Sequence, residues 1–148
     1  MELVKIGIIY SPYKTKEEAP RQGADSEEVC YIEIFENYID GLKDIEEAKY
    51  LIVLYWGHQS NRETLITKTP FSDVPKGVFA CRSPNRPNPI LFDIAELIDR
   101  KGNVLVVKGL DAIDGSPVID IKPYYERIDI PKEVRSKILE PQDGKELR

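Results

Sequence analysis

Residues 82–90, RSPNRPNPI, carry three prolines in nine positions and so exclude helix and inner strand from that stretch. What flanks this break must therefore be short. Residues 3–10 (LVKIGIIY), 29–35 (VCYIEIF), 50–56 (YLIVLYW), 77–81 (GVFAC), 104–108 (VLVVK) and 117–122 (PVIDIK) all have strand length and apolar or β-branched content. The run 50–56 is continuously apolar and predicts a central strand buried on both faces. Residues 91–99 fit a helical face through Leu91, Ile94, Ala95 and Ile98, but the Lys101-Gly102-Asn103 turn before 104–108 favours a strand in a hairpin. Residues 41–49 predict one or two helical turns, and residues 131–140 a helix started by Pro131. Residues 11–28 and 57–76 read as long polar loops. Eleven prolines and nine glycines in 148 residues supply the turns for a sheet-rich chain. The expected fold is mostly β: a small antiparallel barrel or sandwich with short helices and long loops. The strand–helix rhythm of a doubly wound sheet is missing.

The length is that of a single domain, 1–148, with a barrel core over about 3–125 and a helical tail over about 131–148. An apolar content of 41% is too high for a disordered chain. No apolar run is long enough to span a bilayer, and Met1-Glu2-Leu3-Val4-Lys5 lacks the pattern of a signal peptide. A single histidine, His58, excludes a multi-histidine metal site, and Cys30 and Cys81 have no CxxC neighbour. They are expected to be two buried free thiols of a cytoplasmic protein. The net charge of −5 argues against a general nucleic-acid coat. Yet residues 62–86 hold Arg62, Lys68, Lys76, Arg82 and Arg86 against only Glu63 and Asp73, which suits contact with one anionic partner.

Four segments carry residue types suited to chemistry. In RSPNRPNPI a stiff frame holds Arg82 and Arg86, whose forks match carboxylates and phosphates, with Asn85 and Asn88 as neutral donors and acceptors. Ser11-Pro12-Tyr13-Lys14 and Ala19-Pro20-Arg21-Gln22-Gly23 form a polar loop. Tyr55-Trp56-Gly57-His58-Gln59 places aromatics, then His and Gln, at a strand exit, where they can line a pocket or belong to the core. Leu110 to Tyr124 contains the turn Asp114-Gly115-Ser116-Pro117 and acids able to hold hydroxyls or amines. The dinucleotide, P-loop and nucleophile-elbow patterns are all missing.

SPYK…APRQ, YLIVLYWGHQ, GVFACRSPNRPNPI and LDAIDGSPVIDIKPY stand in the order found in the TsaA-like (TrmO) tRNA methyltransferases, and the chain resembles that family over residues 6 to about 125. It departs from the family pattern at Cys81 and at Leu91. The resemblance implies a β-barrel enzyme, usually a homodimer, that uses S-adenosylmethionine to methylate N6 of threonylcarbamoyladenosine beside the anticodon of threonine tRNA. It implies cofactor contacts from Pro20, Arg21, Gln22, His58, Gln59, Arg82, Phe92, Asp111, Asp114, Gly115 and Ser116. The residues themselves suggest anion or RNA contacts from Asn85, Arg86 and Asn88, with Arg82 or Arg86 on a carboxylate or an RNA phosphate, and no metal or membrane; the chain is similar to the short form that lacks a second, C-terminal domain. The N6 proton has three candidate acceptors: His58, Asp114 and the substrate's own carboxylate. A non-catalytic module that binds S-adenosylmethionine, and a plain RNA-binding barrel, are the competing readings.

Overall fold

The computed structural model describes residues 1–70 and 72–139, with Leu139 by its backbone alone. Six strands close into an antiparallel barrel: β1 (Gly7–Tyr10), β2 (Val29–Ile34), β3 (Tyr50–Trp56), β6 (Ile90–Lys101), β7 (Val104–Lys108) and β8 (Pro117–Pro123). Around the barrel they run β1-β2-β7-β6-β3-β8, and β8 pairs back with β1. A two-stranded sheet, β4 (Ile66–Thr67) and β5 (Lys76–Gly77), stands outside it.

Alternation decides what fills the barrel, because successive strand residues point to opposite faces. Ile9, Cys30, Ile32, Leu51, Val53, Ala95, Leu105, Val107 and Val118 are all fully buried and pack into one core. Strand β6 shows the same period of two: Asp93 and Ala95 are buried, while Ile90, Phe92 and Ile94 are exposed. The hairpin reading of 91–99 therefore holds, with β6 paired to β7 across Gly102-Asn103.

Three expectations are corrected. Strand β3 is not buried on both faces: Leu51, Val53 and Tyr55 face the core, while Ile52, Leu54 and Trp56 are only half-buried. Their apolar character answers a partial outer cover, in which Arg62 lies over the Trp56 ring at 5.0 Å and Ile52 shares a depression with Tyr124 and Ile130. Residues 77–81 are not a strand. Only Lys76 and Gly77 find ladder partners, after which Val78 donates its N–H to the Leu65 carbonyl at 2.9 Å and Val78–Ala80 coil into a 3-10 turn. Cys81 is half-buried rather than buried, and both thiols are free.

Two short helices follow the barrel, α1 (Glu126–Asp129) and α2 (Lys132–Leu139), the second beginning just after Pro131 as its sequence predicts. The rest of the expected tail, 140–148, lies outside the described residues. Among the described residues no helix is long and apolar enough to cross a membrane.

The two thiols differ in chemistry. Burial, helped by the nearby charge of Asp93, pushes the Cys30 thiol up to about 11. Native alkylation is therefore expected to label Cys81 and spare Cys30 until the chain unfolds, because the thiolate is the nucleophile. Peptide mass spectrometry after brief iodoacetamide treatment checks this; rapid native labelling of Cys30 contradicts it.

Candidate functional site

Antiparallel order puts the exits of β1, β3 and β7 and the entries of β2, β6 and β8 at one end of the barrel. The four segments singled out in the sequence meet at that end, although Tyr55 and Trp56 belong to β3 and residues 117–123 run down β8 toward the other end. Together with the β4–β5 hairpin they enclose a cleft of about 1240 Å³. Pro20, Arg21, Gln22, His58, Gln59, Arg82, Phe92, Asp111 and Ser116 line it, as do Asn85, Arg86 and Asn88. Asp114 and Gly115 do not.

Asp114 works beside the cleft rather than in it. Its carboxylate takes Lys14 Nζ at 2.7 Å and the Ser11 N–H at 2.9 Å. The Lys14 contact, foremost, holds its carboxyl below the ordinary aspartate range. It thus ties the 11–14 segment to the 111–116 turn, a turn in which Gly115 takes φ +84°, a conformation that side chains resist. Ser11 Oγ adds a bond to the Ala112 carbonyl at 2.6 Å.

The proline-rich segment braces itself. Arg86 Nη1 donates to the carbonyls of Cys81 at 3.1 Å and Ser83 at 3.0 Å. Asn85 Oδ1 accepts from Lys16 Nζ at 3.0 Å and from the Asn61 N–H at 2.9 Å. Arg62, stacked on Trp56, reaches the Pro87 carbonyl at 2.8 Å and Asn88 Oδ1 at 3.3 Å. Arg82 is different. Its guanidinium lies 5.4 Å from the Phe92 ring centre and makes no hydrogen bond or ion pair among the described residues.

The charge balance of the cleft is lopsided. Lys16, Arg21, Lys68, Lys76, Arg82 and Arg86 line it, and none is ion-paired among the described residues. Among the described residues only two acids line it, Asp93 and Asp111, and both are spent on an internal network.

That network was not foreseen in the sequence. Tyr55, only 3% exposed, is too deep to stack a ligand base. Its hydroxyl meets Asp93 Oδ2 at 3.1 Å and, more closely, Asp111 Oδ1. The Asp111 N–H also donates to Asp93 Oδ2, at 3.2 Å. Asp93 faces the barrel interior from β6 and is 8% exposed. Burial first, then the facing Asp111 carboxyl, push the Asp93 carboxyl up to about 9, so it keeps its proton at neutral pH. Gly23 closes over it, since a Cβ there would collide with the Asp93 carboxyl. One protonated carboxyl thereby joins β3, the 19–23 loop and the 109–112 loop. The sequence carries no signal for it, because Asp93 alternates with the apolar Phe92 and Ile94 and reads as a solvent-facing acid, whereas the closed barrel turns it inward, where a charge is costly.

Among the described residues no cluster of three or more His, Cys, Asp or Glu is placed to hold a metal ion. Leu91, where the family pattern differs, is half-buried, packs on the core and lines the cleft wall.

The chain is similar to known proteins in sequence and in fold. A family model described as the tRNA-methyltransferase O N-terminal domain matches residues 8–130. A probable S-adenosyl-L-methionine-binding protein of Archaeoglobus fulgidus is 54% identical over 129 residues, which cover 87% of this chain and 35% of that protein. The tRNA (adenine(37)-N6)-methyltransferase of Escherichia coli is 37% identical over 132 residues, 81% of this chain and 56% of that one. The crystal structure of TrmO from Pseudomonas aeruginosa superposes with a TM-score of 0.74 at 28% identity, over 94% of this chain and 62% of that one. The chain thus spans between about a third and two thirds of the length of these relatives.

Proposed function

The chain belongs to the tRNA-methyltransferase O N-terminal domain family, and on that premise we propose that it transfers a methyl group from S-adenosylmethionine to N6 of threonylcarbamoyladenosine beside the anticodon of a tRNA. One observation carries the reading: a single cleft at the loop end of the barrel, lined by six cations that are not ion-paired among the described residues, on a chain of net charge −5. Such a surface fits a polyanion and a carboxylate better than a neutral metabolite.

Ligand pockets commonly occupy about 300–1000 Å³. A cleft of about 1240 Å³ has room for a nucleoside-sized cofactor with an acceptor base beside it. In this reading Pro20, Arg21, Gln22, His58, Gln59, Phe92, Asp111 and Ser116 hold the cofactor, with Asp114 and Gly115 shaping the turn behind it. Arg82 takes the cofactor carboxylate, since its fork has no other charge to answer. Asn85, Arg86 and Asn88 keep the cleft wall stiff and offer their remaining donors to RNA.

Bound S-adenosylmethionine supplies an already activated methyl group, so the protein's work is alignment and proton removal. In this reading the N6 proton goes to His58, which is exposed and lines the cleft. The ionised Asp114 lies outside the lining and contributes its field. The reading further takes the chain as one domain, acting in the cytoplasm as a homodimer. A non-catalytic binding module is the second reading, favoured by the name of the Archaeoglobus relative, which states binding alone.

Calorimetric titration with S-adenosylmethionine and S-adenosylhomocysteine comes first, then methyl transfer to total tRNA from a strain that lacks the protein. Both ligands are expected to bind, and methyl label to enter threonine tRNA. Binding without transfer selects the module. Absence of binding overturns both.

A further inference from the structure

Phe79 is out of place for a core residue. It is 83% exposed, and among the exposed large apolar side chains of the described residues only Met1 stands further out. It is not a loose end, however. The residue before it, Val78, is 1% exposed and locked to Leu65 by its backbone N–H. Two residues after it, the Cys81 carbonyl is held by Arg86 at 3.1 Å, within the proline-stiffened segment. Phe79 therefore sits at the crest of a 3-10 turn fixed at both ends, and its ring lines the cleft wall. A rigid turn that holds an aromatic ring in water loses burial free energy in the free protein. It gains when a flat partner covers the ring.

The surroundings define that partner. Lys76 lies three residues before Phe79, with Lys68 on the hairpin beside it. Both lysines line the same cleft as Phe79 and neither is ion-paired among the described residues. An apolar protein patch would not need unpaired cations lining the same cleft. A single-stranded nucleic acid does, because its bases stack on aromatic rings while its phosphates seek lysine and arginine.

We propose that Phe79 is the stacking platform for a nucleobase next to the methyl acceptor, with Lys68 and Lys76 on the adjoining phosphates. It rests on the RNA reading above and gives the β4–β5 hairpin a role, the presentation of one unstacked base of a loop. Phe79 is thus a substrate-positioning residue that acts on RNA and not on the cofactor.

The test compares Phe79→Ala, Phe79→Tyr and Phe79→Leu in the full chain. Readouts are KM and kcat for tRNA methylation, tRNA binding by fluorescence anisotropy, S-adenosylhomocysteine binding by calorimetry, and mass by light scattering. Phe79→Ala is expected to raise KM and the RNA Kd by about tenfold or more, the usual loss for one stacked base. Cofactor affinity and mass should stay unchanged. Tyr should restore RNA binding and Leu should not, because the contact needs a π face and not just apolar area. Unchanged RNA affinity in Phe79→Ala overturns the proposal. So does a parallel loss of S-adenosylhomocysteine affinity, which would place the cofactor's adenine on the ring. Full rescue by Leu, or a change of mass, would mark a protein interface instead. If wild type binds tRNA but transfers no methyl group, and Phe79→Ala weakens that binding, the platform stands and the methylation reading falls. If wild type binds no RNA, both fall.

Discussion

Arg82→Ala is expected to lower kcat/KM for methyl transfer by about 100-fold to 1000-fold while leaving the barrel folded. The size follows from the loss of a charge-assisted fork to a carboxylate, about 3–4 kcal/mol, at about 1.4 kcal/mol per tenfold. The sparing of the fold follows from the geometry. Arg86 and Arg62 bond to backbone carbonyls of the proline-rich segment, whereas Arg82 lies over the Phe92 ring and makes no hydrogen bond or ion pair among the described residues. Arg82→Ala should therefore shift Tm by no more than about 2 °C, the scale of a neutral surface change. Arg86→Ala should destabilise by about 1–3 kcal/mol, because two carbonyl contacts go with it. Arg82→Lys keeps the charge but not the planar fork and should recover only part of the activity. Calorimetry locates the defect: if Arg82 answers the cofactor carboxylate, the S-adenosylmethionine Kd rises in step with the loss of kcat/KM. Turnover unchanged in Arg82→Ala removes this arginine from the site.

The contrast between Arg82 and Arg86 also marks how far the sequence could be read. Both arginines stand in one segment, four residues apart, on the same proline frame. Composition and spacing say that the segment is rigid and cationic. They do not say that one guanidinium is consumed inside the loop and the other left open, since that depends on which carbonyls the turn aims inward. The strand inventory was legible because alternation and turn residues are local signals. The reading failed at 77–81, where the chain runs out of ladder partners after Gly77, and pairing is a property of the neighbours. The continuous apolar run of β3 misleads for a related reason: Ile52, Leu54 and Trp56 are only partly covered, Ile52 beside Tyr124 and Ile130 from far along the chain and Trp56 under Arg62. Asp111 was noticed as an acid in a turn. Its partner Asp93 was passed over because an acid between Phe92 and Ile94 reads as the solvent side of a strand, and only barrel closure turns it inward.

That inward carboxyl leads to the second large effect, on stability against pH. Tyr55 has one hydroxyl proton and faces two carboxyl groups, Asp93 and Asp111. A second proton relieves the pair, and burial together with the facing Asp111 carboxyl holds it on Asp93 up to about pH 9. The same acids and the burial drive the Tyr55 phenol far upward, and Cys30 is held at about 11, so neither neighbour titrates first. In the unfolded chain an aspartate loses its proton near pH 4. Between about pH 4 and about pH 9 the folded state thus binds a proton that the unfolded state has released. Folding stability must then fall as pH rises through that window and level off above it. Asp93→Asn has nearly the same shape, keeps an acceptor for the Asp111 N–H and cannot ionise. Its stability should change less over the window. The variant should match wild type within about 1 kcal/mol near pH 5 and exceed it by more than about 1 kcal/mol near pH 8, each unit of pKa shift being worth about 1.4 kcal/mol. Asp93→Ala should instead lose about 2–4 kcal/mol near pH 5, because it strands the Asp111 N–H and leaves a void, and its deficit against wild type should shrink toward pH 8, since it too cannot ionise. It should also weaken cofactor binding, since Asp111 and the Gly23 loop both rest on that carboxyl. Urea unfolding of the three proteins at pH 5 and pH 8 decides. Parallel profiles for wild type and Asp93→Asn would mean that Asp93 is ionised in the folded barrel, and the shared proton would have to be abandoned.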